Sequence, residues 1–109
     1  MMLMSYGAVS AQQKDMIVRI SEIESAASVK LEPGVIAIFP MFEKENPTQV
    51  RILEIYASRE AYESHLKTSH FQKYKTTTLN MVKSLKLVDV EAIDAETMHG
   101  IFKKMKRGK

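Results

Sequence analysis

The chain has 109 residues, which is the size of one small domain. Hydrophobic residues make up 45% of it and charged residues 27%, as in an ordinary globular protein, so neither a disordered chain nor a membrane protein is indicated. The absence of cysteine excludes disulfides, thiolate metal ligands and a cysteine nucleophile.

The formal net charge of +3 is concentrated at the C-terminus. Lys103, Lys104, Lys106, Arg107 and Lys109 account for it, and the rest of the chain is close to neutral. A basic tail alone supports only salt-sensitive, nonspecific binding of nucleic acid, and no predicted strand carries the glycine and aromatic pattern of an RNA-recognition sheet. We therefore predict no nucleic-acid function.

Residues 1–15 are predicted to be a leader that precedes the folded domain. This segment is apolar, and Val9-Ser10-Ala11 resembles the small-residue cleavage site of a signal peptide, although a basic start is missing. We interpret the segment as a leader or the remnant of a signal peptide, which slightly favours an exported or periplasmic protein over a cytoplasmic one. No stretch approaches the roughly 20 apolar residues of a membrane span.

The predicted domain covers residues 16–93 and begins with a strand. Met16–Ile23 is rich in β-branched residues and alternates in part. The next segment, Ser25–Leu31, is compatible with a helix that ends at Glu32-Pro33-Gly34, because proline disfavours helix at the residue before it and glycine turns the chain. The first helix is therefore predicted to be unusually short.

A β-hairpin is predicted next. Val35–Phe42 is a nearly unbroken apolar run, as expected of a strand that is covered on both faces. Pro40 favours an edge position for this strand, because proline cannot donate to a sheet hydrogen bond. A polar segment with turn chemistry leads into the second strand, Val50–Tyr56.

Two helices and a last strand complete the element order. Ser58 is placed to cap a helix over Arg59–Lys67, and Ser69–Gln72 has the form of a capping box for a helix from His70 to about Lys83. With a final strand at Leu85–Glu91, the order is β-α-β-β-α-β. This order predicts an α+β, ferredoxin-like fold with one antiparallel sheet and helices on one face.

The second face of this sheet predicts a homodimer. Helices on one side would leave the other side bare in a monomer, yet the predicted strands are apolar on both faces. Large exposed apolar patches mark interaction surfaces, and most soluble oligomers are symmetric pairs of identical subunits. Two sheets packed face to face would cover the patch.

Residues 94–109 are predicted to form an amphipathic basic tail. Met98, Ile101, Phe102 and Met105 recur at helical spacing, with lysines on the opposite side. Such a helix suits an anchor to a membrane surface or a partner, or a tail packed on its own dimer. We prefer the second interpretation.

The side chains that could carry chemistry cluster between Tyr62 and Met81. Two imidazoles, His65 and His70, lie near the phenol of Tyr74, and helical spacing places His70 and Tyr74 on one face. A histidine at a helix start is expected to be neutral, because the helix dipole opposes imidazolium, so His70 could act as a general base. A capping or packing role is the alternative. No metal site is predicted, since the histidine spacing matches no zinc motif.

Three motifs resemble those of a known family. They are Leu53-Glu54-Ile55-Tyr56-Ala57, His65-Leu66-x-Thr68-x-His70-Phe71-x-x-Tyr74, and Glu32-Pro33-Gly34 before the hairpin. Together they are similar to the antibiotic biosynthesis monooxygenase (ABM) family, especially its quinol-monooxygenase-like branch. The resemblance runs from about Met16 to Ile93, and the His-Leu-x-Thr-x-His segment is its most specific part.

The resemblance implies a dimeric α/β barrel whose sheets pack face to face, with a pocket in each subunit between sheet and helices. Members oxygenate phenolic or quinol substrates with dioxygen and without flavin, haem or metal. By position, the resemblance implies that His70 and His65 are catalytic and that four residues bind the substrate: Tyr74, Glu54, Tyr56 and Phe39. The expected protein is a cofactor-independent monooxygenase in which a neutral His70 takes the phenolic proton of a small aromatic.

Two other functions remain open at this stage. Relatives of the autoinducer isomerases share the His-x-x-Thr-x-His pattern and would rearrange a small phosphorylated ketone, with Arg19 or Arg51 holding the phosphate. A non-catalytic dimer that binds a small hydrophobic molecule is the third interpretation, and the short first helix favours it. Haem is disfavoured, because the haem-degrading branch uses a tryptophan and an axial histidine, whereas this chain has no tryptophan and carries Tyr74 at the second position.

Overall fold

Four strands pair into one antiparallel sheet in the computed structural model, which describes residues 1–94, 96 and 100. The strands lie in the order β2-β3-β1-β4, and every neighbouring pair is antiparallel. Their bounds are β1 Met2–Val9, β2 Val35–Glu43, β3 Asn46–Tyr56 and β4 Val82–Val90. The helices in this part of the chain are α1 Lys14–Leu31, α2 Arg59–Leu66 and α3 Ser69–Thr78, and a short 3-10 turn at Ala11–Gln13 precedes α1. The predicted α+β, ferredoxin-like fold is confirmed.

The first strand lies where a leader was expected, so that expectation is wrong for residues 2–9. This segment forms β1, which pairs with β3 on one side and β4 on the other. Leu3, Ser5 and Val9 are buried on the helix side of the sheet. The alternation is hard to see in the sequence because the residues on the other face are apolar as well.

The strand predicted at Met16–Ile23 is also wrong, and the first helix is not short. Both segments belong to α1, which has 18 residues. Three of its five buried residues are serines and one is a glutamate, so the helix lacks the apolar stripe that periodicity analysis looks for. A full-length first helix removes the observation that favoured a non-catalytic protein.

The hairpin is confirmed, with β2 and β3 as its strands and Pro40 on an edge strand as predicted. The helix after it is confirmed too, and the Ser58 hydroxyl accepts a hydrogen bond from the Ala61 N–H at 3.1 Å. In α3 the cap is Thr68 instead of Ser69, since the Thr68 hydroxyl accepts from the Phe71 N–H at 3.2 Å. That helix ends before the predicted Lys83, because the chain turns there to enter β4.

A hydrophobic core under α1 joins the end of β1 to the start of β4. Val9, Ile17 and Met81 are buried against one another, and Ile20 and Val50 pack on them. The Ser10 N–H donates to the Met81 carbonyl at 3.0 Å, which ties the end of β1 to the start of β4. This contact fixes where α1 begins relative to the sheet.

The two faces of the sheet differ in their cover. The register places Leu3 opposite Glu54 and Ser5 opposite Ile52, and these side chains point towards the helices. The alternate residues point to the other face, where Phe39 pairs with Leu53 and Met4 pairs with Val88. The described part of the monomer places no helix on this face, and Phe39 remains 38% exposed. We call this surface the open face.

The amphipathic stripe predicted at Met98, Ile101, Phe102 and Met105 lies outside the described residues. Among the helices that are described, none combines the length and the apolar composition needed to cross a membrane.

Candidate active site

A cavity of about 660 Å³ lies between the sheet and helices α2 and α3. Leu3 and Ile52 form part of its floor, and Phe71 and Leu66 form part of its roof. Polar groups enter it at few places, most notably at Glu54 from the floor. A mostly apolar cavity with a small number of polar groups is the usual form of a small-molecule site, and this volume suits a substituted aromatic. We call it the histidine cavity.

His65 is the histidine of the cavity wall, and it is only 2% exposed. Its Nδ1 lies 2.9 Å from Glu32 Oε2, and its Nε2 lies 3.6 Å from Glu24 Oε1. An ionised carboxylate can only accept, so the bond to Glu32 requires that Nδ1 carries the hydrogen. In the neutral ring this leaves Nε2 as the atom that can accept a proton.

His70 lies on the other side of the same carboxylate. Its Nε2 is 2.5 Å from Glu32 Oε2, so one oxygen accepts from both imidazoles. His70 is not among the residues that line the histidine cavity, and its side chain is 22% exposed. The structure therefore brings the two predicted histidines together through Glu32, with His65 towards the cavity and His70 towards solvent.

Glu24 completes this cluster from α1. The Ser28 hydroxyl donates to Glu24 Oε1 at 2.9 Å, and burial raises the pKa of the Glu24 carboxyl above its usual range, although the Ser28 bond opposes that change. Glu24, His65 and His70 each offer one ligand atom, and these atoms lie within 4.8 Å of one another, close enough to hold a metal ion. In the arrangement seen here, both imidazoles are hydrogen-bonded to Glu32. Residue spacing in the sequence could not reveal this group, because Glu24 on α1 is far in sequence from His65 and His70.

The buried Glu24 carboxyl predicts how stability depends on pH. Its raised pKa means that the folded protein keeps the proton at pH values where the unfolded chain has lost it. The resulting stabilisation is complete below the unfolded pKa and disappears as the pH rises through the folded pKa. Glu24→Gln stays uncharged and can still accept from Ser28, so it should be more stable than wild type at about pH 8 and lose that advantage at about pH 5.

Urea unfolding of both proteins at the two pH values measures this difference. Glu22→Gln, on the exposed side of the same helix, is the matched control for removal of one acidic charge. A difference in unfolding free energy between Glu24→Gln and wild type that stays constant from pH 5 to pH 8 would contradict the assignment.

Glu54 is the acidic group on the cavity floor, and two hydroxyls hold its carboxylate. The Tyr56 hydroxyl donates to Glu54 Oε1 at 2.5 Å, and the Ser5 hydroxyl donates to Oε2 at 3.3 Å. Burial, and then the charge of Glu54, raise the pKa of Tyr56 above its usual range, so it remains a donor. Tyr56 is 1% exposed and lies behind Glu54, outside the residues that line the cavity.

Tyr74 lines the cavity from α3, as predicted, and Phe39 does not. The Tyr74 hydroxyl lies 3.2 Å from the Ser21 hydroxyl on α1, and burial raises the pKa of Tyr74. Phe39 is on the open face, one residue after Ile38, the β2 residue that pairs with Glu54. Strand alternation therefore places Phe39 on the far side of the sheet from the cavity.

Sequence reasoning missed the partners that α1 supplies. The sequence patterns predict a strand at Ser21 and no regular element at Glu24, and they mark Glu32 only as part of a turn motif. A signal was present, since Ser21, Glu24, Ser25 and Ser28 recur at helical spacing. It is a polar stripe, however, and a search for apolar periodicity does not find it.

A family model for antibiotic biosynthesis monooxygenase matches residues 9–77. The chain belongs to this family. The match covers more than half of the ABM protein, including α1, the hairpin, α2 and nearly all of α3. This membership supports a monooxygenase activity at the level of the family and specifies no substrate.

Solved structures agree with this membership. A Bacteroides thetaiotaomicron protein assigned to the antibiotic biosynthesis monooxygenases is 39% identical, with a TM-score of 0.84, and the match covers 86% of this chain and 90% of that one. A Lactobacillus acidophilus protein assigned as a monooxygenase is 29% identical, with a TM-score of 0.77, over 79% of this chain and 41% of that one. A Nitrosomonas europaea protein assigned to the family has a TM-score of 0.80 at 18% identity, over 85% and 98% of the two chains, and supports the fold alone. No curated protein sequence matches this chain.

Proposed function

We propose that this ABM protein is a cofactor-independent monooxygenase that oxygenates a quinol-like or phenolic small molecule with dioxygen. The observation that carries the proposal is a buried imidazole, His65, in the wall of an apolar cavity and held there by a carboxylate. Phenol oxidation by dioxygen starts most easily from the phenolate, so the site needs a base more than it needs a cofactor. The cavity supplies one in the imidazole of His65, which is itself buried.

His65 is the proposed acceptor of the phenolic proton. The hydrogen bond from Nδ1 to Glu32 orients the ring, and Nε2 takes the proton from the substrate. The imidazolium then lies between Glu32 at 2.9 Å and Glu24 at 3.6 Å, two groups that stabilise positive charge. The electrons and hydrogens that reduce the second oxygen atom to water also come from the substrate. A quinol and O2 therefore give one water molecule and a hydroxyquinone, which has gained one oxygen atom and lost two hydrogen atoms.

His70 is proposed to act through Glu32. It contacts the same carboxylate oxygen as His65 and is more exposed, which suits exchange of the accepted proton with solvent. Tyr74 and Glu54 are the proposed hydrogen-bonding partners of the substrate, since both line the cavity. Tyr56 holds Glu54 in place from behind.

The phosphorylated-ketone alternative has weaker support in the cavity. Neither of the arginines expected to hold a phosphate lines it, and Arg51 forms an ion pair with Glu43 at 2.7 Å instead. Lys75 and Lys83 do line the cavity, and both are exposed. Because these two lysines could bind a phosphate, the experiment below also tests for isomerase activity.

Oxygen uptake with a panel of substituted hydroquinones tests the function. We expect uptake that requires both protein and quinol, continues in the presence of a chelator, and yields a hydroxyquinone that has gained one oxygen atom and lost two hydrogen atoms. Conversion of a phosphorylated hydroxyketone under anaerobic conditions, with no oxygen uptake on any quinol, would assign the isomerase instead. Binding of quinols without either reaction would leave a binding protein.

A homodimer that pairs the open faces is the second part of the proposal. Phe39, Met41 and Tyr6 are each 38 to 40% exposed on or beside that face. Phe39→Asp should therefore convert a dimer into a monomer of 12.4 kDa, because a charge cannot be buried unpaired between two sheets. Light scattering of the eluted protein measures the mass. Ile23→Asp, which places the same charge on the exposed side of α1, should leave the dimer intact, and a monomeric wild type would contradict the proposal.

A further inference from the structure

A second cavity of about 530 Å³ lies under α1, next to the end of the hairpin. Ile17 and Val18 from the helix, and Pro40, Phe42 and Val50 from the strands, form most of its wall. It lies mainly on the helix side of the sheet, and Met41 at its rim belongs to the open face. We call it the α1 cavity.

A hydrogen bond joins a lining residue of one cavity to a lining residue of the other. Ser21 lines the α1 cavity and Tyr74 lines the histidine cavity, and their hydroxyl oxygens are 3.2 Å apart. The floor continues beneath this bond, because Val50 lines the α1 cavity and Ile52, two residues along the same face of β3, lines the histidine cavity. The net contribution of this bond to stability is modest, but an apolar chain that separates the two hydroxyls leaves both without this partner, so burial of the chain must outweigh that cost.

We propose that the two cavities form one elongated site for an aromatic ring that carries an apolar chain. The ring lies in the histidine cavity beside His65, and the chain passes Ser21 and Tyr74 into the α1 cavity. The wall is mostly apolar, with Glu22, Ser21 and Ser25 as its polar members, so it suits a hydrocarbon substituent better than an anionic one. This inference rests on the proposed function for the ring and adds the class of its substituent.

Anaerobic calorimetric titration of a matched series tests the inference, using methyl-, butyl- and octylhydroquinone. Affinity should rise by about fourfold for each methylene that is buried. Ser21→Leu blocks the passage, so it should remove this dependence on chain length, whatever the lost Tyr74 hydrogen bond does to the affinity for methylhydroquinone. Ala26→Leu adds the same side chain on the exposed side of α1 and should keep the wild-type dependence.

Val18→Phe provides a second block if Ser21→Leu does not fold, because it fills the α1 cavity away from the hydrogen bond. The inference is overturned if affinity does not depend on chain length, if the blocked variant keeps the wild-type dependence, or if no hydroquinone of the series binds. Failure of the proposed function gives a different result. If affinity depends on the length of the alkyl chain but no oxygen is taken up, the elongated site is retained and the oxygenation is rejected. If oxygen is taken up but affinity does not depend on alkyl chain length, the oxygenation is retained and the elongated site is rejected.

Discussion

Turnover of a quinol substrate should fall by roughly 10²- to 10⁴-fold in His65→Asn, the usual scale for loss of a positioned acid or base. Asparagine can still donate to Glu32 from a similar position, but it cannot accept the phenolic proton. His65 is also buried against two carboxylates, so a lower melting temperature is expected as well. Oxygen uptake per folded molecule, measured well below that temperature, separates the two effects.

His70→Asn is the matched control for this experiment. It removes an imidazole from the same carboxylate oxygen but changes no residue that lines the cavity, so its loss of turnover should be smaller. Wild-type turnover per folded molecule in His65→Asn would remove His65 from the mechanism. A larger loss in His70→Asn than in His65→Asn would make His70 the base, as the sequence motif by itself suggested.

Gly34→Ala should destabilise the fold by about 1 to 3 kcal/mol, the usual cost of overpacking a close contact. A Cβ atom added at Gly34 would lie 2.5 Å from the Ala61 Cβ, so α2 would have to move away from the start of β2. For a domain of this size the melting temperature should fall by about 4 to 8 °C for each kcal/mol. Since α2 carries His65, turnover should fall as well.

The double variant Gly34→Ala with Ala61→Gly tests the cause. Removal of the opposing methyl restores the space, so the two substitutions should destabilise the protein by less than the sum of their separate effects. Thermal unfolding of the wild type, both single variants and the double variant gives the coupling energy. Strict additivity would show that the glycine is needed for another reason.

The second half of the chain was predictable because its signals are local. Turn chemistry between two apolar runs set the hairpin, and Ser58 and Thr68 lie at the starts of the two short helices, although the second cap was placed one residue late. The motif around His65 and His70 identified the family, which the family match confirms. All of these features depend on residues that are close in sequence.

The first third of the chain was mispredicted because its structure depends on partners far away. β1 is paired on both sides by strands that come some 45 and 80 residues later, and its two faces are both largely apolar, so alternation is weak. β-Branched residues at Ile17, Val18 and Ile20 favour a strand locally, but packing of α1 across the sheet overrides that preference.

The sequence by itself determined the element order after Glu32 and the family, and it singled out the two histidines that the structure brings together at Glu32. Only the tertiary structure decided which histidine faces the cavity, because that depends on where α1 places Glu32 and Glu24 against α2 and α3. The strand register likewise decided the position of Phe39. Phe39 pairs with Leu53, the neighbour of Glu54, so it lies on the opposite face of the sheet from Glu54. Hydrogen bonds and strand register depend on which residues are close in space. Local sequence patterns do not show which residues distant in the chain come close together.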